Sequence, residues 1–138
     1  MSLQDDDRRA IVEYRMEKAD IALSEAKKVA EIGLWNISAN RLYYCLYYIV
    51  SALFISKGLT PHTHKGVIIL LHQKLVRTGI LSENDGALMS RMYSLRQEGD
   101  YEDFEDLTES EITGKIPMVE ALKNKVAELI KDTDLEIK

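Results

Sequence analysis

The sequence predicts an all-α protein, an up-and-down antiparallel bundle of four to five helices that forms a single domain over residues 1–138. Apolar residues recur at spacings of three and four along most of the chain, which is the period of a helix facing a core. Only two prolines and seven glycines are available to interrupt these segments. Apolar residues make up 46% of the sequence, enough for one core without disulfides, since Cys45 is the sole cysteine.

The first two predicted helices cover about residues 5–31 and 37–57. Acidic residues at the start of the first helix suit the positive end of a helix dipole, and Gly33 marks its end. The second helix carries apolar side chains on nearly every face and ends before Gly58, so we expect it to be the most enclosed helix. The apolar stripe of the first helix comprises Val12, Met16, Ala19, Leu23, Ala26 and Ala30.

Breakers and capping signals bound a third and a fourth helix. Pro61 stops the chain before the third helix, which covers about residues 63–78 and ends at a glycine. Its apolar run, VIILL, would also fit a short buried strand. Ser82 and Asp85 have the spacing of a capping box, so the fourth helix covers about residues 82–101.

The last helical segment has two start signals. Thr108 and Glu111 repeat the capping-box spacing, whereas Gly114 and Pro117 indicate a restart near residue 115, with a kink or a new start at the proline. Beyond the proline, an apolar stripe would face the core: Val119, Leu122, Val126 and Leu129.

The charge of the chain is unevenly distributed. Its net charge is −5, yet eight carboxylates and no lysine or arginine lie between Glu98 and Glu111, which leaves fifteen acidic and eighteen basic residues elsewhere. This balance excludes a strongly basic protein that coats nucleic acid, and the local acidity would repel an incoming polyanion.

The acidic N-terminus is unlike a signal peptide, and the longest uncharged run, residues 42–56, is too short to span a bilayer. We therefore expect a cytoplasmic protein without membrane contact.

Arg41 is the first candidate phosphate ligand. It stands near the start of the apolar second helix, and Tyr44 and Tyr48 follow on the same face at three and seven residues. An arginine flanked by tyrosines can hold a phosphate or stack on a base. The same three residues would also fit the rim of the bundle, with the tyrosine hydroxyls pointing outward.

Arg96 and His64 supply further candidates. Asp100 lies one turn after Arg96 and can pair with it, an interaction worth about 0.2–0.5 kcal/mol. With the neighbouring Tyr101, the guanidinium could instead clamp a phosphate or an oxyanion, because its fork binds two oxygens at once. His64 and Lys65, at the start of the third helix, could meet a phosphate with the help of free backbone N–H groups.

The sequence contains no signal for a metal site or an organic cofactor. The three histidines, at positions 62, 64 and 72, do not converge by spacing, and a zinc site needs three or four ligands. There is no glycine-rich phosphate loop, nucleophile elbow or zinc-protease motif. Cys45 lies in the most apolar helix, where a thiol is normally inert. We therefore expect no metal and no cofactor.

Four short segments carry a family signature. In order along the chain they are NRLYYCLYY at 40–48, KGL at 57–59, THKGV at 63–67 and RQEGDY at 96–101. Together they resemble the HEPN domains of small prokaryotic proteins, and the resemblance covers about residues 36–104. It implies a helical bundle that forms a homodimer and is often encoded beside a minimal nucleotidyltransferase in toxin–antitoxin or defence systems.

Many HEPN proteins are metal-independent ribonucleases whose R-x4-6-H motif comes from both subunits of the dimer. Arg96 matches the arginine of this motif, but Tyr101 stands where a histidine is expected, and no histidine follows position 72. A general base should titrate near pH 7, as histidine does at about 6.5. An ordinary tyrosine, at about 10, and Asp100, at about 3.9, are poor substitutes.

Three hypotheses follow from these observations. The first is a binding module, a homodimer that partners a minimal nucleotidyltransferase and binds a nucleotide between its helices. The second is a ribonuclease that uses Arg96 with Tyr101 or Asp100 in place of the histidine and cleaves RNA without a metal. The third is an interaction protein whose tyrosines serve only the core and the interface. The absent histidine and the acidic segment favour the binding module.

Overall fold

The computed structural model describes residues 3–101 and 106–138, and every regular element within these two ranges is helical. The predicted all-α bundle is confirmed. In chain order the helices are α1 (Leu3–Glu31), α2 (Trp35–Ser56), α3 (His64–Leu70, continued by a π-helical stretch, Leu71–Val76), α4 (Glu83–Asp100), α5 (Glu109–Ile112) and α6 (Lys115–Lys131). Three of the eight carboxylates of the acidic segment, Glu102, Asp103 and Glu105, lie outside the described ranges.

Helix α2 is the centre of the bundle because apolar side chains cover nearly its whole circumference. Leu42, Leu46 and Phe54 are among its fully buried residues. Helices α1, α4 and α6 all pack against it. The prediction that the second helix is the most enclosed is confirmed. Cys45 is fully buried within it, and burial raises the pKa of the Cys45 thiol to about 12.

Glycine residues end the first two helices where the sequence predicts. Gly33 and Gly58 have φ angles of 77° and 87°, in a region that residues with a Cβ rarely adopt. A three-residue connection joins α1 to α2, so the two helices run antiparallel, and α2 begins two residues earlier than predicted, at Trp35. Small buried residues let α1 pack closely: Ala19, Ala22 and Ala26.

The third segment is helical throughout, and the alternative of a buried strand is wrong. Val67, Leu71 and Leu75 are buried at a spacing of four, whereas Ile69 is 53% exposed, so one helical face packs on the core. The Thr63 hydroxyl caps the segment by accepting a hydrogen bond of 2.8 Å from a backbone N–H of the first turn. The helix then widens into its π-helical stretch.

The last segment follows both predicted start signals. Thr108 and Glu111 form the capping box of the single-turn α5, and α6 begins at Lys115. Pro117 lies in the first turn of α6, where backbone N–H groups have no partner within the helix, so the proline is accommodated there. The restart near residue 115 is confirmed. Over the described part of the chain, no helix has both the length and the apolar character needed to cross a bilayer.

The predicted Ser82–Asp85 capping box is confirmed at the start of α4. The Ser82 hydroxyl accepts a hydrogen bond from the Asp85 backbone N–H, and the Asp85 carboxylate accepts from the Ser82 N–H and from Lys125 Nζ. Burial would raise the pKa of the Asp85 carboxyl, but the hydrogen bonds from Lys125 and Ser82 outweigh burial and lower this pKa below its ordinary value.

Asp85→Asn should therefore destabilise the protein more at pH 7 than at pH 3. A carboxyl whose pKa is lowered by folding contributes stability above its unfolded pKa, about 3.9, and loses that contribution as the pH falls through the folded value. Urea unfolding at both pH values measures the difference, with Glu17→Gln, at an exposed position of α1, as the control. An equal cost of Asp85→Asn at the two pH values would contradict this account.

Candidate functional site

Three tyrosine rings surround Arg96 between α2 and α4. Helix α2 contributes Tyr43 and Tyr44, and Tyr93 lies one turn before Arg96 on α4. The Arg96 Cζ atom lies 5.3, 5.6 and 5.9 Å from the ring centroids of Tyr43, Tyr44 and Tyr93. These distances are within the range of cation–π attraction, so the rings hold the guanidinium in position.

The polar contacts of Arg96 are fewer than its guanidinium can make. Its Nε donates to Asp100 Oδ2 at 3.3 Å, and Asp100 also accepts a hydrogen bond from Asn40 Nδ2 at 3.4 Å. The Arg96 Nη1 atom is buried and has no partner, alone among the buried side-chain nitrogens and oxygens of the described residues. A buried charged donor without an acceptor costs stability, so an acceptor that entered here would be bound favourably.

His64, the first residue of α3, joins this cluster. Its ring centroid lies 4.4 Å from that of Tyr47, and its Nδ1 lies 2.8 Å from Tyr43 Oη. Two causes lower the pKa of His64 below its ordinary value: burial, which is the larger, and the positive charge of Arg96. The imidazole is therefore neutral at pH 7.

The Tyr43 hydroxyl and His64 Nδ1 share one hydrogen bond, whose direction depends on the tautomer of His64. Tyr43 is fully buried, and burial raises the pKa of its phenol well above the ordinary value, so the hydroxyl stays protonated. Where Tyr43 donates, a neutral imidazole that accepts at Nδ1 carries its proton on Nε2. In that tautomer the cluster contains two N–H donors, Arg96 Nη1 and His64 Nε2, and such a pair favours an anion.

Arg41 reaches the same cluster through Tyr44. Its Cζ atom lies 5.1 Å from the Tyr44 ring centroid, so Arg41 and Arg96 both lie against this one tyrosine. The N–H groups of Arg41 are engaged by its neighbours: Nε and Nη2 donate to Asn40 Oδ1, and Nη1 donates to Glu25 Oε1 at 3.3 Å. Arg41 therefore adds positive charge to the site, while Arg96 holds the donor that lacks an acceptor.

The other predicted site residues lie around this cluster. The Tyr48 and Tyr44 ring centroids are 5.8 Å apart, and Lys65 is exposed beside His64. Tyr101 is 60% exposed at the C-terminal end of α4. Three rings of the cluster are not among the predicted site residues: Tyr43, Tyr47 and Tyr93. The available signal for Tyr47 and Tyr93 was their spacing of three residues from Tyr44 and Arg96, whereas Tyr43 has no such spacing.

Arg96→Gln should raise the pKa of His64. Loss of the neighbouring positive charge removes one of the two causes that lower this pKa, while burial remains. NMR titration of the His64 Cε1–H resonance measures the change in wild type, Arg96→Gln and Arg91→Gln, the last being an exposed arginine on the same helix. Identical titration curves in all three proteins would show that the Arg96 charge does not reach His64.

The chain matches known proteins over most of its length. A family model described as HEPN domain matches residues 12–130, from α1 into α6. A UPF0332 protein of Thermotoga maritima is 31% identical over 126 residues, which is 91% of this chain and 96% of the relative. A UPF0332 protein of Archaeoglobus fulgidus is 33% identical over 90 residues, 65% of this chain and 71% of the relative. A Methanocaldococcus jannaschii protein named "Putative toxin MJ0605" is 29% identical over 131 residues, 95% of this chain and 97% of the relative.

Proposed function

This chain belongs to the HEPN domain family, and from that premise we propose that it is a toxin-related module that binds the phosphate of a nucleotide at Arg96. The observation that carries the proposal is the buried Arg96 Nη1, which has no acceptor. A phosphate oxygen would supply that acceptor, and a hydrogen bond to a charged group contributes about 1.5–3 kcal/mol. His64 supplies the second donor through Nε2–H.

The surroundings of Arg96 favour a small anion over a long one. The carboxylates between Glu98 and Glu111 follow Arg96 directly and would repel the successive phosphates of an RNA strand. A mononucleotide carries its charge at one end, and aromatic rings suit the stacking of its base. A nucleotide is therefore the ligand class that fits both the donors and the rings.

We place this module in a pair, as a homodimer that partners a minimal nucleotidyltransferase. The family resemblance supports both associations, and the name of the Methanocaldococcus jannaschii relative supports a toxin-type system. An exposed apolar stripe along α1, made by Ile11, Tyr14 and Ile21, offers a surface to the second copy. Light scattering should give a molar mass of twice the chain mass of 15.8 kDa, and a measured mass of one chain would refute the homodimer.

Fluorescence anisotropy with labelled ATP tests the nucleotide site. Wild type should bind, and Arg96→Lys should bind at least about tenfold more weakly, because lysine keeps the charge but lacks the planar fork. Arg91→Lys, at an exposed position of the same helix, is the matched control and should bind like wild type. Equal binding by the three proteins, or no binding by wild type, would refute the site.

One observation favours a second function, RNA cleavage. The histidine that the sequence lacks after Arg96 has a spatial counterpart in His64, whose pKa is lowered by burial and by the Arg96 charge. An imidazole with an unprotonated Nε2 could accept the proton of a 2′-hydroxyl, while Arg96 stabilises the charge on the phosphate. This role requires the opposite tautomer, in which His64 Nδ1–H donates to Tyr43 Oη.

Incubation of RNA with the protein in EDTA distinguishes the two functions. A ribonuclease would cleave RNA in a manner that His64→Ala abolishes and His72→Ala retains, since His72 bonds to Ser90 on α4 and is the matched histidine outside the cluster. RNA that stays intact with wild type, together with Arg96-dependent ATP binding, supports the binding module.

A further inference from the structure

A small groove lies between α3 and α4, beside the Arg96 cluster. It has a volume of about 250 Å³ and is lined by Lys65, Ile68, Ile69, Ser90, Tyr93 and Ser94. Its walls are mainly apolar, and Ile69 is exposed there although it is a large aliphatic residue. Pockets that hold a whole drug-sized ligand have volumes of about 300–1,000 Å³, so this groove suits one part of a ligand, such as a single ring system.

Two residues connect the groove to the proposed phosphate site. Tyr93 lines the groove, and its ring centroid lies 5.9 Å from Arg96 Cζ. Lys65 lines the groove and directly follows His64 in the chain. Because Tyr93 and Arg96 are three residues apart on one helix, their Cβ atoms are about 5–6 Å apart. A ligand that touches both sites therefore needs to extend over only about one helical turn.

We infer that this groove holds the base of the nucleotide whose phosphate binds at Arg96, an inference that rests on the proposed function. Apolar walls and a tyrosine ring favour the flat face of a base, and the ring stacks on any base because every base has a π-face. The Ser90 hydroxyl pairs with His72 Nε2 at 3.0 Å, and Ser94 is exposed, so we assign the contact with the base edge to the Ser94 hydroxyl. Lys65 at the rim adds a positive charge for the phosphate.

The groove's contribution to affinity is measured by comparing AMP with ribose 5-phosphate, which carries a hydroxyl in place of the base. Both compete with labelled ATP in the anisotropy assay. Wild type should bind AMP at least about tenfold more tightly than ribose 5-phosphate. In Ile69→Ser that ratio should fall to below about threefold, while the affinity for ribose 5-phosphate stays unchanged. Ile37→Ser on α2 is the matched control, because Ile37 is 48% exposed and Ile69 is 53% exposed, so neither change opens the core.

The outcomes separate this inference from the function on which it rests. Equal binding of AMP and ribose 5-phosphate by wild type, or an unchanged ratio in Ile69→Ser, overturns the base groove and leaves the phosphate site standing. No binding of either compound overturns both.

A free nucleotide and an RNA strand share the same base and phosphate chemistry, so the tetranucleotide of adenosine is tested as well. If it bound more than about tenfold more tightly than AMP, the assignment to a free nucleotide would be wrong.

Discussion

Arg96→Met should bind ATP at least about tenfold more weakly than wild type and yet unfold with nearly the same free energy. The variant loses the charge-assisted hydrogen bond from Nη1 to the phosphate, worth about 1.5–3 kcal/mol, and each 1.4 kcal/mol is a tenfold change in affinity. Binding loss alone, however, does not separate a ligand-binding arginine from one that holds the fold together. The stability of the variant makes that distinction.

In the free protein, the gains and losses of Arg96→Met nearly cancel. Methionine removes the cation–π attraction to the tyrosines, about 0.5–2 kcal/mol, and the ion pair with Asp100, whose side chain is 41% exposed and which contributes about 0–1 kcal/mol. It also removes the unpartnered Nη1, whose burial costs about 1–3 kcal/mol. We therefore expect the free energy of unfolding to change by less than about 1 kcal/mol.

Urea unfolding and ATP anisotropy on the same preparation test whether Arg96→Met weakens ATP binding without changing stability. Arg91→Met is the control for loss of a charge from α4. A variant that is destabilised by more than about 2 kcal/mol and binds ATP as wild type does would support the third hypothesis. In that hypothesis, the cluster serves only the core and the interface.

Tyr43→Ala should lower the free energy of unfolding by about 3–5 kcal/mol, the largest effect on stability that we predict. Its ring is fully buried and packs against Tyr44, Tyr47, Tyr93 and His64, so truncation leaves a cavity at the junction of three helices. Thermal and urea unfolding measure this loss, with Tyr48→Ala, at a partly exposed position of α2, expected to cost less.

Tyr43→Phe separates the ring from its hydroxyl. It keeps the packed ring and should cost only about 0.5–1.5 kcal/mol through the lost hydrogen bond to His64. Tyr43→Phe also removes the hydrogen bond that favours the His64 tautomer with its proton on Nε2. ATP should therefore bind more weakly to this variant although Arg96 is intact. An alanine variant as stable as wild type would show that the ring is not a core element, and unchanged ATP binding by the phenylalanine variant would show that the tautomer has no role.

Local signals predicted the helix boundaries because the groups that set them are close in sequence. Ser82 and Asp85 are three residues apart, and so are Thr108 and Glu111, so each capping box depends on a single turn of chain. The run VIILL was ambiguous because five apolar residues fit both a strand and a buried helix. Burial at 67, 71 and 75 resolves it, and burial depends on where the core lies.

The site was only partly predictable because its decisive contacts are distant in sequence. Arg96, Tyr44 and His64 were recognised by residue type, but the bond between Tyr43 and His64 joins positions 21 residues apart across a loop. The position at which α3 packs against α2 depends on tertiary packing, and the periodicity of the sequence does not reveal it. The histidine that faces the Arg96 charge, His64, comes earlier in the chain than Arg96, so a motif read forward from Arg96 does not include it.

The buried thiol of Cys45 makes the protein well suited to site-specific labelling. At pH 7, a thiol with a pKa of about 12 is ionised in on the order of one molecule in 10⁵, and this side chain is also closed to solvent. Maleimide reagents attack thiolates and will therefore leave the native cysteine unmodified. The variant Gln73→Cys, at an exposed position one turn after Ile69, would then carry the single reactive position, and a fluorophore attached there would report the filling of the groove in real time while Cys45 stays in the core.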